Sequence, residues 1–184
     1  GQLTSQILKA AGCLVIGIDV KSYPLEVASG SSNWSLDYAL KADDRSLVSK
    51  INTITNGIGV DKVIVTAASN NSKPIILGAE ILRDRGTLVI VGSTKIDIPR
   101  SVFYEKEIDV KFSRSYGPGR YDVKYEEQGI DYPVGYVRWT ENRNMDSFCK
   151  LIQSHRINPK ILTTQTFNVS EAKKAFDMVV SSDE

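Results

Sequence analysis

The sequence predicts a doubly wound parallel α/β fold, and three observations carry that prediction. The runs "CLVIGID", "VDKVIVTAA" and "TLVIVGS" lack polar alternation, as in parallel strands buried on both faces. Between them, apolar residues recur at helical spacing. Glycine or proline marks the junctions. Strands of about six residues alternating with helices of about ten or more build the crossover units of a parallel sheet.

The elements follow in order. Leu3, Ile7, Leu8 and Ala11 form a helical stripe, and Gly12 stands where such a helix ends. "CLVIGID" is the next strand. Residues 22–30 form a short helix entered through Pro24. Leu47, Ile51 and Ile54 mark another helix, stopped by Gly57 and Gly59. "VDKVIVTAA" is a strand, followed by the helical stripe Ile75, Ile76, Ala79 and Leu82 with Pro74 near its first turn. "RDRG" turns the chain into the strand "TLVIVGS". A short helix near "RSVFYEKE" leads to the strand "IDVKFSRSY". The stretch "YGPGRYDVKYEEQGIDYPVGY" holds five of the eight tyrosines and is too long for a plain connection, so it is a functional or an ordered surface excursion. A helix around 141–154, a strand near "ILTTQTF" and a helix from about Ser170 close the chain.

Composition narrows the function. Apolar residues make up 41% and charged residues 24%, as in an ordinary globular protein. A net charge of +1 calls for neither nucleic acid nor an anionic membrane as partner. No apolar run approaches the roughly 18–20 residues of a membrane span, and no signal peptide precedes the first helix. A cytoplasmic setting is expected, with Cys13 and Cys149 reduced. The glycosylation patterns at Asn33, Asn70 and Asn168 are then coincidences.

The opening "GQLTSQILKAAGCLVIGIDV" carries the sharpest signal. It reads as the second half of a dinucleotide-binding βαβ unit, entered after its first strand. Gly1 stands where the last fingerprint glycine lets helix and strand pack closely. Asp19 lies roughly 20 residues on, at the end of an apolar strand, where an acidic side chain bonds the ribose hydroxyls. Its charge disfavours a 2′-phosphate and so favours NAD over NADP; nearby Lys21 weakens that preference without reversing it. Ligands of open α/β sheets bind beyond the carboxyl ends of the strands. Those ends read "TAAS", "VGST" and "SRSYG", small and hydroxyl-bearing residues that leave room for a flat ring. Methyltransferases also place an acidic residue after their second strand. They usually carry an acidic or Asn-Pro-Pro-type motif where this chain has "TAAS".

Together these segments resemble the medium-chain dehydrogenase/reductase family, the zinc-type alcohol dehydrogenases and their relatives. "TNGIGVDKVIVTAA" is similar to the family's approach to its fourth strand, and "LRDRGTLVIVGST" to its fifth. "ILTTQTFNVSEAKKAFDMV" is similar to the segment that returns to the catalytic domain. Within the family, "IPRSVFYEKEIDVKFSRSYGPGRYD" and "GIDYPVGYVRWTENRNM" resemble a bacterial bi-domain oxidoreductase subgroup. That subgroup carries a second, glucose–fructose-oxidoreductase-like domain and is associated with surface polysaccharide synthesis.

The resemblance implies a Rossmann-like doubly wound parallel sheet, truncated before its first strand, over residues 1–138. It makes 139–184 the segment that returns to the catalytic domain. It puts Gly1 at the pyrophosphate turn, Asp19 on the adenosine ribose with Lys21 beside it, and Thr66 and Ala67 in the cofactor crevice. Val91, Gly92 and Ser93 flank the nicotinamide, with Ser115 and Tyr116 beyond. The implied activity moves a hydride between NAD(P) and a small-molecule alcohol, aldehyde or sugar-derived substrate.

The family's N-terminal substrate domain and its zinc lobe have no counterpart here. With Cys13 in a core strand, Cys149 in a helix and a lone His155 at a surface or helix end, no zinc site is expected. No catalytic residue is assigned, and the segment alone is expected to be inactive. A non-catalytic nucleotide-binding or interaction module is the other reading. The absent strand would be the central one. The gap would then be filled by a shifted strand, by part of the excursion, or by a second copy, and a homodimer is expected.

Overall fold

The computed structural model describes residues 1–30 and 34–181; Asn33 lies outside the described residues. Among the described residues five strands alternate with helices: α1 (Gln2–Ala10), β1 (Ile16–Asp19), α2 (Ser22–Ala28), β2 (Tyr38–Lys41), α3 (Leu47–Ile54), β3 (Val60–Val65), α4 (Lys73–Ile81), β4 (Leu82–Ile90), α5 (Arg100–Glu105) and β5 (Asp109–Phe112). The excursion follows with one short helix, α6 (Val123–Glu126). Then come α7 (Glu141–Gln153), two 3-10 turns at Pro159–Leu162 and Val169–Glu171, and α8 (Ala172–Ser181).

All strand pairing is parallel, which a chain of crossover helices produces. The sheet is in two parts. β1 pairs with β2, setting Asp19 opposite Lys41. β3, β4 and β5 form the second part, with β4 central. β1 and β3 are not paired with each other. One strand between them would give the continuous order β2-β1-x-β3-β4-β5, the sequence of a doubly wound dinucleotide fold. Among the described residues, neither a shifted strand nor a strand of the excursion occupies that position, so two of the expected ways of filling it do not occur.

Apolar packing holds the two parts together. Leu47 and Ile51 of α3 and Ile81 of α4 are buried against Ile16 and Ile18 of β1, Leu40 of β2, and Val60 and Val63 of β3. A second cluster joins Val65, Leu82, Leu88 and Ile90 of the sheet to Ile75 and Ala79 of α4 and Phe103 of α5. Helix α1 packs on α2, while α4 contacts both α3 and α5. These are the two helix groups of a Rossmann-like α/β fold.

Several sequence expectations need correction. A strand over 38–41 was not foreseen, because "YALK" is short and half exposed. Leu82 opens β4 rather than ending the preceding helix. "RDRG" is the irregular start of β4, where the register with β3 shifts and Arg85 takes φ +56°. "ILTTQTF" is not a strand. Pro159 starts a 3-10 turn whose Asn158 side chain accepts from the Lys160 amide, and no strand among the described residues pairs with the rest. Cys13 is exposed just before β1, not buried in a core strand.

Candidate functional site

The site residues gather at the carboxyl ends of β1, β3 and β4. Asp19 is the last residue of β1. Its Oδ1 accepts the Lys21 backbone amide at 2.8 Å, which orients the carboxylate at the start of α2. Its Oδ2 makes no hydrogen bond among the described residues and is free to accept two hydroxyls. Lys21 is exposed at the N-terminal cap of α2.

Gly1 stands at the N-terminal cap of α1. A Cβ there would lie 3.3 Å from the Thr66 hydroxyl, so helix start and β3 end approach closely. Asp19 lies close enough to the Gly1 nitrogen for its charge to be felt there. Gly1, Asp19 and Thr66 therefore share one neighbourhood, although Gly1 and Thr66 stand 65 positions apart in the sequence.

The loops after β3 and β4 are fastened to each other. The amides of Val91 and Gly92 both donate to the Val65 carbonyl at 2.9 Å. Ser69 donates to the Ser93 carbonyl and Lys95 to the Ser69 carbonyl, each at 3.0 Å. The Thr94 hydroxyl adds a bond to the Asn71 carbonyl at 3.0 Å. Gly92 is forced by this closeness: a Cβ would sit 2.2 Å from the Ala67 carbonyl oxygen. Thr66, Ala67, Val91, Gly92 and Ser93 thus form a shallow shelf with short side chains, with Ala67, Val91 and Ser93 exposed.

Ser115 and Tyr116 are arranged differently. They follow β5 but bond within the excursion: the Ser115 hydroxyl lies 3.3 Å from that of Tyr121, and the Tyr116 carbonyl accepts the Asn144 amide group at 2.9 Å. No hydrogen bond among the described residues ties them to the β3 and β4 loops.

Sequence reasoning missed Lys41. Its amine donates to the Val20 carbonyl, which brings a second cation to the Asp19 end of β1. The signal was absent because β2 itself was not recognised.

Possible metal ligands do not converge. Among the described residues no three His, Cys, Asp or Glu side chains group as a metal site requires. Cys13 and Cys149 are exposed, and His155 is an exposed residue just past the end of α7. No helix among the described residues is long and apolar enough to cross a membrane.

Comparison with known proteins agrees with this fold. The profile of a family described as zinc-binding dehydrogenase matches residues 1–127, more than half of the chain. A curated NAD-dependent alcohol dehydrogenase of Sulfurisphaera tokodaii is 34% identical over 99 residues, covering 53% of this chain and 27% of that protein. The chain therefore spans about a quarter of that relative's length at the matching region. Among solved structures, the alcohol dehydrogenase of Aeropyrum pernix superposes with a TM-score of 0.68 at 17% identity, over 100% of this chain and 44% of its own. An Escherichia coli quinone oxidoreductase complexed with NADPH gives 0.66 at 17% identity, over 100% of this chain and 51% of its own. At such identity these superpositions establish the shared fold.

Proposed function

The chain belongs to the zinc-binding dehydrogenase family, and on that footing we propose that it is the nucleotide-binding domain of an alcohol-dehydrogenase-like oxidoreductase. The cofactor is a nicotinamide dinucleotide. The observation that carries the reading is the shared neighbourhood of Gly1, Asp19 and Thr66, opening on the shelf of Ala67, Gly92 and Ser93.

The residues fit that cofactor. The free oxygen of Asp19 accepts the adenosine ribose hydroxyls. The glycine at the start of α1 lets the pyrophosphate lie against backbone amides at the helix N-terminus. The short side chains after β3 and β4 give a flat ring access to the shelf and exclude water from one of its faces. The cofactor supplies the hydride chemistry toward an alcohol, aldehyde or sugar-derived substrate; this domain supplies grip and orientation.

Asp19 favours NAD over NADP, because a 2′-phosphate would meet its carboxylate. Lys21 and Lys41 oppose that preference, and the balance is measurable. In the 184-residue chain NADH is expected to bind more tightly than NADPH. Asp19→Ala should narrow the gap by about tenfold, the worth of one charge-assisted hydrogen bond. Lys41→Ala should widen it. Calorimetric titration with both cofactors checks this, and equal affinities in the unsubstituted chain would refute the role of Asp19.

A further inference from the structure

The segment between β5 and α7 concentrates unusual backbone geometry. Ser115, Gly117, Gly119 and Tyr121 take φ of +48°, +105°, +111° and +68°. Serine and tyrosine rarely adopt such angles, and the strain persists only where the surroundings impose it. Here they do. Gly119 rests on the buried ring of Tyr125, where a Cβ would come within 2.7 Å. The first turn of α7 clamps the rest: the Glu141 amide donates to the Pro118 carbonyl at 2.8 Å, and the Asn142 amide to the Tyr125 hydroxyl at 2.9 Å. The Asn144 bond to Tyr116 completes the hold.

The outcome is a cationic cluster around one exposed phenol. The guanidinium groups of Arg114 and Arg120 each lie 4.4 Å from the centre of the Tyr121 ring. Glu126 pairs with Arg120 and fixes its orientation. Arg114 has no carboxylate partner among the described residues. The Ser115 hydroxyl, and after it the Arg120 charge, holds the Tyr121 phenol below its ordinary pKa. With Arg120 already paired to Glu126, Arg114 keeps a guanidinium that no carboxylate neutralises among the described residues, and a negative group placed there would meet its donors.

Position adds the second argument. The Ser113 amide donates to the Ile90 carbonyl at 2.9 Å, extending the β4–β5 ladder to its carboxyl edge. Arg114 and Ser115 come next, in the loop that follows β5, the neighbour of the strand that leads to Gly92 and Ser93. Open α/β sheets bind ligands along that edge. We infer that Arg114, Arg120 and the paired hydroxyls of Ser115 and Tyr121 form a receptor for an oxyanion, a carboxylate or phosphate group carried by the substrate. The inference rests on the cofactor reading for its place in the site, while its chemistry is that of the cluster itself.

Inorganic phosphate and acetate, titrated separately into the isotopically labelled chain at constant ionic strength, test it. The amide resonances of Ser115, Gly117 and Gly119 are expected to shift saturably. Saturation by acetate alone identifies a carboxylate receptor; saturation by phosphate alone identifies a phosphate receptor. Arg114→Gln should weaken binding by about tenfold, the loss of one charge-assisted donor. Arg138→Gln, which removes a guanidinium stacked 4.1 Å from Trp139 between the excursion and α7, should leave it unchanged. Should Arg114→Gln fail to fold, Tyr121→Phe keeps the ring and removes the hydroxyl, and weaker binding is again expected. No saturable shift, or equal binding by wild type and the folded variants, would overturn the receptor. NADH added to the same sample is read at Asp19 and Gly92. Anion binding without NADH binding leaves the receptor standing and refutes the cofactor reading; the reverse refutes the receptor alone.

Discussion

At Gly92 the fold leaves no space for a side chain. The carbonyl oxygen of Ala67 occupies the position a Cβ would take, 2.2 Å away, and that oxygen belongs to backbone that cannot rotate aside. Gly92→Ala must therefore push the β3 and β4 loops apart and strain the bonds that fasten them. Overpacking of this kind costs about 1–3 kcal/mol. Denaturant unfolding of the variant should show a loss of that order, accompanied by weaker cofactor binding. Stability equal to wild type would mean that the loops are looser than their bonding implies. Asp19 was legible from sequence because an acidic residue after an apolar strand has a chemical reason to be there. Lys41 was not, since nothing in "YALK" shows that its amine returns to the end of β1. Arg114 and Arg120 escaped notice for a related reason: two guanidinium groups six residues apart meet over one ring through the positive-φ turns at Ser115, Gly117, Gly119 and Tyr121, which residue spacing does not show.

Among the elements, the long helices and the apolar strands β3 and β4 were readable from their spacing and burial. The short pieces were not, because tertiary partners create them. β2 is held by Asp37 just before it. The Asp37 carboxylate takes Lys9 of α1 on one oxygen and the Val15 amide on the other, both at 2.7 Å, and so joins α1, β1 and β2. "ILTTQTF" shows the converse: β-branched residues favour a strand, but without a neighbouring strand no ladder forms. The Asp37 junction gives a pH dependence. Burial alone would raise the Asp37 pKa, but the bonds from Lys9 and Val15 outweigh it and the pKa is lowered. A carboxylate depressed in the folded state stabilises the fold above its unfolded pKa, about 3.9, and loses that contribution as pH falls through the folded value. Urea midpoints should therefore fall below about pH 4 more steeply for wild type than for Asp37→Asn. Parallel curves for the two proteins would show that the junction contributes nothing.

For the whole molecule, the divided sheet is the defining feature. Among the described residues no strand lies between β1 and β3, yet both rest on the cluster of Leu47, Ile51 and Ile81. Helices α3 and α4 thus keep the two halves in register, and with them the ends of β1, β3 and β4 that hold Asp19, Thr66 and Gly92. The opening helix–strand–aspartate pattern made this division legible in outline. It did not show that α3 would bridge it, which depends on Ile51 being wholly buried between both halves. If these strand ends form one dinucleotide site, NADH titrated into the labelled chain should produce saturable amide shifts confined to Asp19, Lys21, Thr66, Ala67, Gly92, Ser93 and their neighbours at the carboxyl edge. Saturation with shifts clustered elsewhere, or no saturable shift at any NADH concentration, would contradict that reading.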